Sequence, residues 1–437
     1  MDTRLKLPNN LWQIDFTVPS EPGVICQLVN GSRVVLEAGC LNGQLSLSVL
    51  YDQKESPLQL RAPAQAGAVI RAVDRHYRIE LYVNDRLADE EWPYGNHLLN
   101  NALFTVDNSG DTFSIKALPE AESVSLPEDP DCFEQAQDWL PGNGVFVGDC
   151  MPFCHNGTFH LFYLQDRHHH QSKWGKGAHQ WAHISSTDLV HWQIHPLAIT
   201  IDDQAEGSIC TGSVICLDGR FYAFYAVRMM DGSSAPLKCA VSDNGIDFSK
   251  TAWELHLSGP YRQESVRDPK VFRDGDGRFH LFVTTSIRAN GHWQGCLAHL
   301  FSSDLVHWQE MPQPALRTEC YSDDYDKPWT IEPECSDYFF SNGWYYLISR
   351  SRYVLSRKPF GPWQEPANPV IPCGAVPKMA FWKDNRIIFA GFQGIDGYAG
   401  RLVFAEALSD TDGTLRFVPV REMSSPAGQK IPTAATP

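Results

Sequence analysis

Gly157 to Leu164 reads GTFHLFYL, a turn residue that runs straight into aromatic and aliphatic side chains. Such a run is a buried strand. The phrase returns as GRFYAFYA from Gly219, GRFHLFVT from Gly277, GWYYLISR from Gly343 and, degenerately, NRIIFAGF from Asn385. A second phrase follows some of these strands. SSTDLVHWQ (Ser185 to Gln193) and SSDLVHWQE (Ser302 to Glu310) are nearly the same words, and VSDNGIDFSK and LSRKPFGPWQE are looser copies. Each joins a strand end, a turn bearing Asp or Gly, and an aromatic that packs back. Units spaced roughly 40–65 residues apart match the period of blade-type repeats. The pattern predicts an all-β chain with a five-bladed β-propeller over residues 140–406. No sustained helical period competes with it. A single sandwich would not repeat near-identical phrases so far apart.

Residues 1–126 stand outside the repeat. GQLSLSVL, AGAVIRAV and HYRIELYVNDRLADEEWP alternate polar and apolar around Asn-Asp turns, which predicts a jelly-roll-like β-sandwich. The acidic, Pro-rich LPEDPDCFEQAQDW marks a linker over 127–139. The tail, 407–437, contains DGTLRFVPVREM and is expected to return a strand to the sandwich.

A net charge of −16 argues against nucleic-acid and anionic-membrane partners, which need a basic surface. The opening MDTRLKLPNNLWQIDF has no apolar core of a signal peptide, and no run is long enough to span a bilayer. A cytoplasmic protein is expected. Its 12 cysteines, without zinc-type CxxC pairs, are then reduced, mostly buried thiols.

The repeats also align three acids. Asp149 precedes Gly157, Asp268 in SVRDPKVF precedes Gly277, and Glu334 in TIEPECSDYF precedes Gly343, all at almost one offset. The second unit has Thr211, Gly212 and Ser213 there, and the fifth has Pro377 and Lys378. One acid before a turn is ordinary capping. Three at one offset, with Arg267 and Pro269 flanking the second, place carboxylates on the same end of three innermost strands, where they converge on the axis. Converging carboxylates raise at least one pKa, a cost that an acid and base acting together at neutral pH would justify. Glycoside hydrolysis is the clearest such use.

At these residues the chain resembles glycoside hydrolase family 32, the invertase and fructanase group, within a five-bladed propeller clan that includes levansucrase-like enzymes. GDCMPF matches the family's first Asp block, RDPKVF its RDP block and PECSDYF its EC block; WGKGAHQWAHISSTDLVHW is similar to a further family stretch. The match runs over about residues 140–410. The resemblance implies that Asp149 is the nucleophile, Glu334 the general acid and then base, and Asp268 the transition-state stabiliser, with Arg267 holding it. It implies retention of configuration, with carboxyl groups about 5 Å apart. YRIELYVNDRLADEEWP is similar to the family's accessory sandwich, which normally follows the propeller and here precedes it. Gly148 stands where the family usually has Asn, Cys150, Met151 and Pro152 replace Pro-Asn-Gly, and Ser336 replaces a common Pro. These departures leave open whether the sugar is a fructoside or another furanoside.

A small carbohydrate substrate follows, probed by Trp174, His183, Thr211, Ser213 and Gln165 beside Arg267. Trp174 is set to flank the sugar, with an ordinary core Trp as the alternative; His183 divides evenly between a site and a core role. The loop DRHHHQSKWGKGAH offers His168, His169, His170 and His179. Without carboxylate or Cys in regular ligand spacing, no metal is expected, and no cofactor. Lys173 and Lys176 in this loop suit a phosphorylated or carboxylated sugar. Cys150 and Cys335 read as fillers beside the pocket. The sandwich reads as a packing or dimerisation domain ahead of a sugar-binding module, which leaves a homo-oligomer through it open. Two other readings stand: an arabinofuranosidase-like enzyme of similar architecture, and a sugar-binding propeller without catalysis.

Overall fold

The computed structural model describes residues 4–8, 11–52, 57–75, 79–91, 96–107, 113–119, 132–141, 145–167, 179–203, 205–322 and 331–423. The chain divides into two compact units, residues 1–129 with 201–204, and residues 130–200 with 205–437. The first unit is built from two antiparallel sheets of alternating strands. One contains Leu11–Thr17, Val69–Arg75 and Ile79–Val83, the other Gly23–Asn30, Arg33–Leu41 and Gln44–Val49. Trp12, Ile14, Leu28, Leu36, Leu47 and Leu81 share one core between them. Strands such as Gln44–Val49 bury one side of the pleat, while Ile79–Val83 is buried on both.

Among the described residues the second unit forms five antiparallel blades. The innermost strands are Val145–His155, Glu206–Leu217, Arg267–Arg273, Asp337–Ser341 and Ala375–Trp382. The last blade meets the first through the pairing of Val147 with Gly400, and Leu402 exchanges backbone hydrogen bonds with Asp138 and Trp139 at 2.8 and 2.9 Å. The sequence phrase explains the packing between blades. In Thr158–Arg167, Phe159, Leu161 and Tyr163 face the fifth blade's core, while His160 and Phe162 turn toward Phe221 and Phe248 of the second. Strands covered on both faces read as continuous apolar runs.

The second phrase is a turn with a fixed hydrogen-bond pattern. Asp188 Oδ1 accepts from the backbone N–H groups of Val190 and His191, both at 2.8 Å, and Asp304 Oδ1 accepts from Val306 and His307 at 2.9 and 2.8 Å. In both copies the Trp indole N–H donates to the Leu carbonyl at 3.2 Å. The near-identical words are thus a structural device, shared by the first and third blades.

Two expectations are corrected. Cys132–Glu134, within the expected linker, pairs with the outer strand of the first blade, and Phe133 stacks on Trp139 at 4.3 Å. Within the expected tail, Leu415–Val418 pairs not with a sandwich strand but with Gly400–Ser409, as the fifth blade's outer strand. Leu415 completes the core there, and Arg386 ties Glu406 and Glu422 together at the same edge.

Buried imidazoles recur at one interblade position. His160 Nδ1 lies 3.1 Å from His183 Nε2, and His280 Nδ1 lies 2.9 Å from His299 Nε2. Burial, with neighbouring imidazoles adding to it, lowers His160 to about 4 and His299 to about 3. The folded chain therefore binds fewer protons than the unfolded one below about pH 6.5, so stability present above that pH drains away as pH falls toward these values. We expect each of the two to cost on the order of 1–2 kcal/mol at pH 5. Urea midpoints at pH 7 and pH 5 should show this fall, and a His160→Leu/His183→Leu variant should show a smaller one.

Candidate active site

Four of the innermost strands carry the same irregularity. Gly148–Asp149, Cys210–Thr211, Asp268–Pro269 and Val376–Pro377 each interrupt the register between flanking pairs, so that two residues oppose one. A β-bulge re-aims side chains that the pleat would send between blades. The offset shared by Asp149 and Asp268 in the sequence is this bulge, whereas Glu334 lies just ahead of the fourth innermost strand. Asp268 adopts a left-handed φ of 50° and Cys335, just before the fourth innermost strand, one of 53°.

The bulges bring the predicted acids together. Thr211 Oγ1 donates to Asp149 Oδ2. The Cys335 thiol donates to the same oxygen at 3.2 Å, while its backbone N–H donates to Asp268 Oδ2 at 3.0 Å. Burial and then Asp149 and Asp268 raise the Cys335 thiol well above its ordinary range, so it stays a proton donor. Arg267 joins the remaining acid: its Nη2 donates to Glu334 Oε1 at 2.9 Å, and its Nε stands 3.7 Å from Asp268 Oδ2. Burial pushes the Asp268 carboxyl up; Arg267 pulls it down, Glu334 pushes it up, and the balance remains raised. Asp149 and Asp268 are buried, and Glu334 keeps about a quarter of its side chain exposed (23 %).

Several participants are invisible in the sequence reading. Glu332, fully buried, pairs with Arg267 Nη1 and accepts from both Ser265 and Ser286 hydroxyls. Burial lowers the Arg267 pKa, but Glu332, Glu334 and Asp268 more than reverse this. The doubled Glu-Pro-Glu of residues 332–334 was the available signal. Lys378, at the fifth unit's copy of the acid position, is buried and donates to the Gly212 carbonyl at 3.1 Å. Its charge draws Asp268 down. Tyr398, from the turn before Gly400–Ser409, donates to Asp149 Oδ1 at 2.9 Å. No repeat marks that turn.

The other predicted residues separate. Gln165 stands in register with Val147, and its buried Oε1 has no hydrogen-bond partner among the described residues. Ser213 is taken up by the third blade, donating to Pro269 O and accepting from Val271 N–H, both at 2.8 Å. Its hydroxyl ties blades together rather than facing the acids. His183 lies one strand out from His160 and stacks on Phe162 at 4.3 Å and His195 at 4.4 Å, within the interblade imidazole cluster. His179 bonds Asp166 at 2.9 Å. Trp174, His168, His169, His170, Lys173 and Lys176 lie outside the described residues. No trio of potential metal ligands occurs among the described residues. A cavity of about 1020 Å³, walled in part by Met151, Val271, Phe339 and Lys378, is a different space: none of the three acids lines it.

Comparison with known proteins follows the same residues. The model of the glycosyl hydrolases family 32 N-terminal domain matches residues 150–389, beginning one residue after Asp149. The chain is 30% identical over 200 residues to the sucrose-6-phosphate hydrolase of Bacillus subtilis, covering 44% of this chain and 38% of that protein. It is 25% identical over 325 residues to the sucrose-6-phosphate hydrolase of Escherichia coli, covering 62% and 61%. The chain thus spans less than two thirds of these relatives' length. Among solved structures, a sucrose-6-phosphate hydrolase from Lactobacillus gasseri superposes with a TM-score of 0.51 at 19% identity, over 63% of this chain and 62% of that one. Fructan 1-exohydrolase IIa from Cichorium intybus gives 0.50 at 17%, over 64% and 60%. These likenesses bear on the fold, which they share. With a family model matched over more than half its length, from the first bulge into the fifth blade, the chain belongs to family 32 of the glycosyl hydrolases.

Proposed function

We propose that this chain is a retaining glycoside hydrolase that removes a terminal β-fructofuranosyl unit from sucrose-like or short fructo-oligosaccharide substrates. One observation carries the reading: a single residue, Cys335, donates to both Asp149 and Asp268, while Arg267 reaches both Asp268 and Glu334. Two small linkers thereby tie three acids of different blades into one site.

The division of labour follows from each environment. Asp149, bonded by Thr211, Cys335 and Tyr398, is the nucleophile. Glu334, the most exposed of the three and held by one arm of Arg267, protonates the leaving oxygen and then activates water. Asp268 lies between them to bond sugar hydroxyls and stabilise the oxocarbenium-like transition state. The unpartnered Gln165 Oε1 is a further acceptor for a hydroxyl, one strand away from Asp149. The sucrose-6-phosphate hydrolases among the relatives favour a phosphorylated disaccharide as one candidate substrate.

The test is a screen of wild type and Glu334→Gln on sucrose, sucrose 6-phosphate, short fructans and aryl arabinofuranosides. Wild type should free fructose with retained configuration at the anomeric carbon, read by NMR at early times. Glu334→Gln should lose about 10²–10⁴ in kcat on sucrose-type leaving groups. Inverted product, or release from arabinofuranosides alone, rejects the reading. Glu332→Gln supplies a second test. Removing that buried negative charge leaves Arg267 Nη1 without its carboxylate partner, so the guanidinium that holds Glu334 loses its anchor and kcat/KM should fall about 10-fold or more.

A further inference from the structure

Asp149 is braced from the adjoining fifth blade, across the seam. Tyr398 belongs to the fifth blade, and its hydroxyl donates to Asp149 Oδ1 at 2.9 Å while accepting from the Asp149 backbone N–H at 3.2 Å. The ring is fixed on both sides, edge-on to Phe392 at 5.2 Å and stacked on His179 at 5.4 Å. His179 is itself bonded to Asp166 at 2.9 Å. The space that the hydroxyl occupies belongs sterically to residue 148. A Cβ on Gly148 would lie 2.6 Å from the Tyr398 hydroxyl and 3.0 Å from the Leu164 carbonyl oxygen. No side chain at 148 is compatible with this contact.

We propose that Tyr398 is the positioning residue of Asp149 and that glycine at 148 is the condition for it. The inference rests on Asp149 being the nucleophile. Oδ2 of Asp149 accepts from both Thr211 and Cys335, whereas Oδ1 accepts from Tyr398 alone among the described residues. The lone pair left on Oδ1 makes it the attacking atom. A bond forms from Oδ1 to the anomeric carbon as that carbon's bond to the leaving oxygen breaks, and the leaving oxygen takes the proton of Glu334. Before attack, the Tyr398 hydrogen bond sets the rotation of the carboxylate. When the sugar departs to water, the same bond receives the returning negative charge.

The experiment compares wild type, Tyr398→Phe, Gly148→Ala, Tyr398→Ala and the Gly148→Ala/Tyr398→Ala pair. Tyr398→Phe should lose about 10- to 100-fold in kcat/KM. The loss should fall on kcat, with KM within about twofold of wild type, because the hydroxyl orients the attacking oxygen and does not hold the substrate. Gly148→Ala should cost at least about tenfold alone and a clearly smaller factor once Tyr398 is Ala. A Tyr398→Phe kcat within about twofold of wild type, or a loss confined to KM, or equal costs for Gly148→Ala in both backgrounds, overturns the proposal. Should wild type cleave none of the furanosides, the functional reading fails by itself. The contact is then judged without substrate, from the unfolding constants of Asp149→Asn, Tyr398→Phe and their combination. Coupling of about tenfold upholds it, and additivity overturns it.

Discussion

One guanidinium makes this site affordable. Asp149, Asp268, Glu332 and Glu334 bring four carboxyl groups to one region of the propeller, and Arg267 lies against three of them. Like charges gathered out of water repel strongly and lose hydration as well. Arg267 counters this with donors on separate nitrogens, a division that the planar fork allows and an ammonium does not. Lys378 adds a second positive charge from the fifth blade. Ser265 and Ser286 then satisfy the oxygens of Glu332 that Arg267 leaves over. The polar groups at the centre are balanced as a set, so each element that supplies one is held to a narrow position.

The bulges are the means of delivery. A regular inner strand would send alternate side chains into the neighbouring blades, where the aromatic cores are. Opposing two residues to one breaks that alternation at a single point, and it does so at equivalent places in four blades. What each blade contributes there differs: Asp149, Thr211 and Asp268 from three, and in the fifth the residues just ahead of Lys378. The scaffold repeats while the chemistry does not. That separation lets a ring of similar blades present a nucleophile, its hydroxyl partner, a stabilising acid and a counter-charge without altering the packing that holds the ring.

The blade repeat was legible because packing between blades imposes the same apolar rhythm five times. The acids were legible because the bulges hold them at a constant distance from that rhythm. Residues whose role depends on which face of a strand they occupy were harder. His183 lies in a family-like stretch, yet the pairing of its strand with Phe162 and the nearby His195 place it inside an imidazole cluster. Ser213 follows Thr211 by two, but the bulge ends at Gly212 and regular pleating resumes, so its hydroxyl meets the neighbouring strand. Tyr398 was beyond reach, since a turn between strands carries no period and its target lies at the other end of the propeller. The tail went astray for a related reason: an alternating strand advertises that it will pair, not with which edge.

The seam between the first and last blades joins distant stretches of chain. Asp149 and Tyr398 are separated by 249 residues, and the backbone pairing of Val147 with Gly400 across the seam is comparably long-range. Contacts of such span are entropically late in folding, after the local hairpins of each blade. During synthesis the first blade emerges well before its partner exists, with the flank that will meet the fifth blade uncovered. The protein therefore acquires its braced carboxylate only when the fifth blade arrives, and a nascent or truncated chain lacking that blade carries Asp149 without the hydroxyl that orients it.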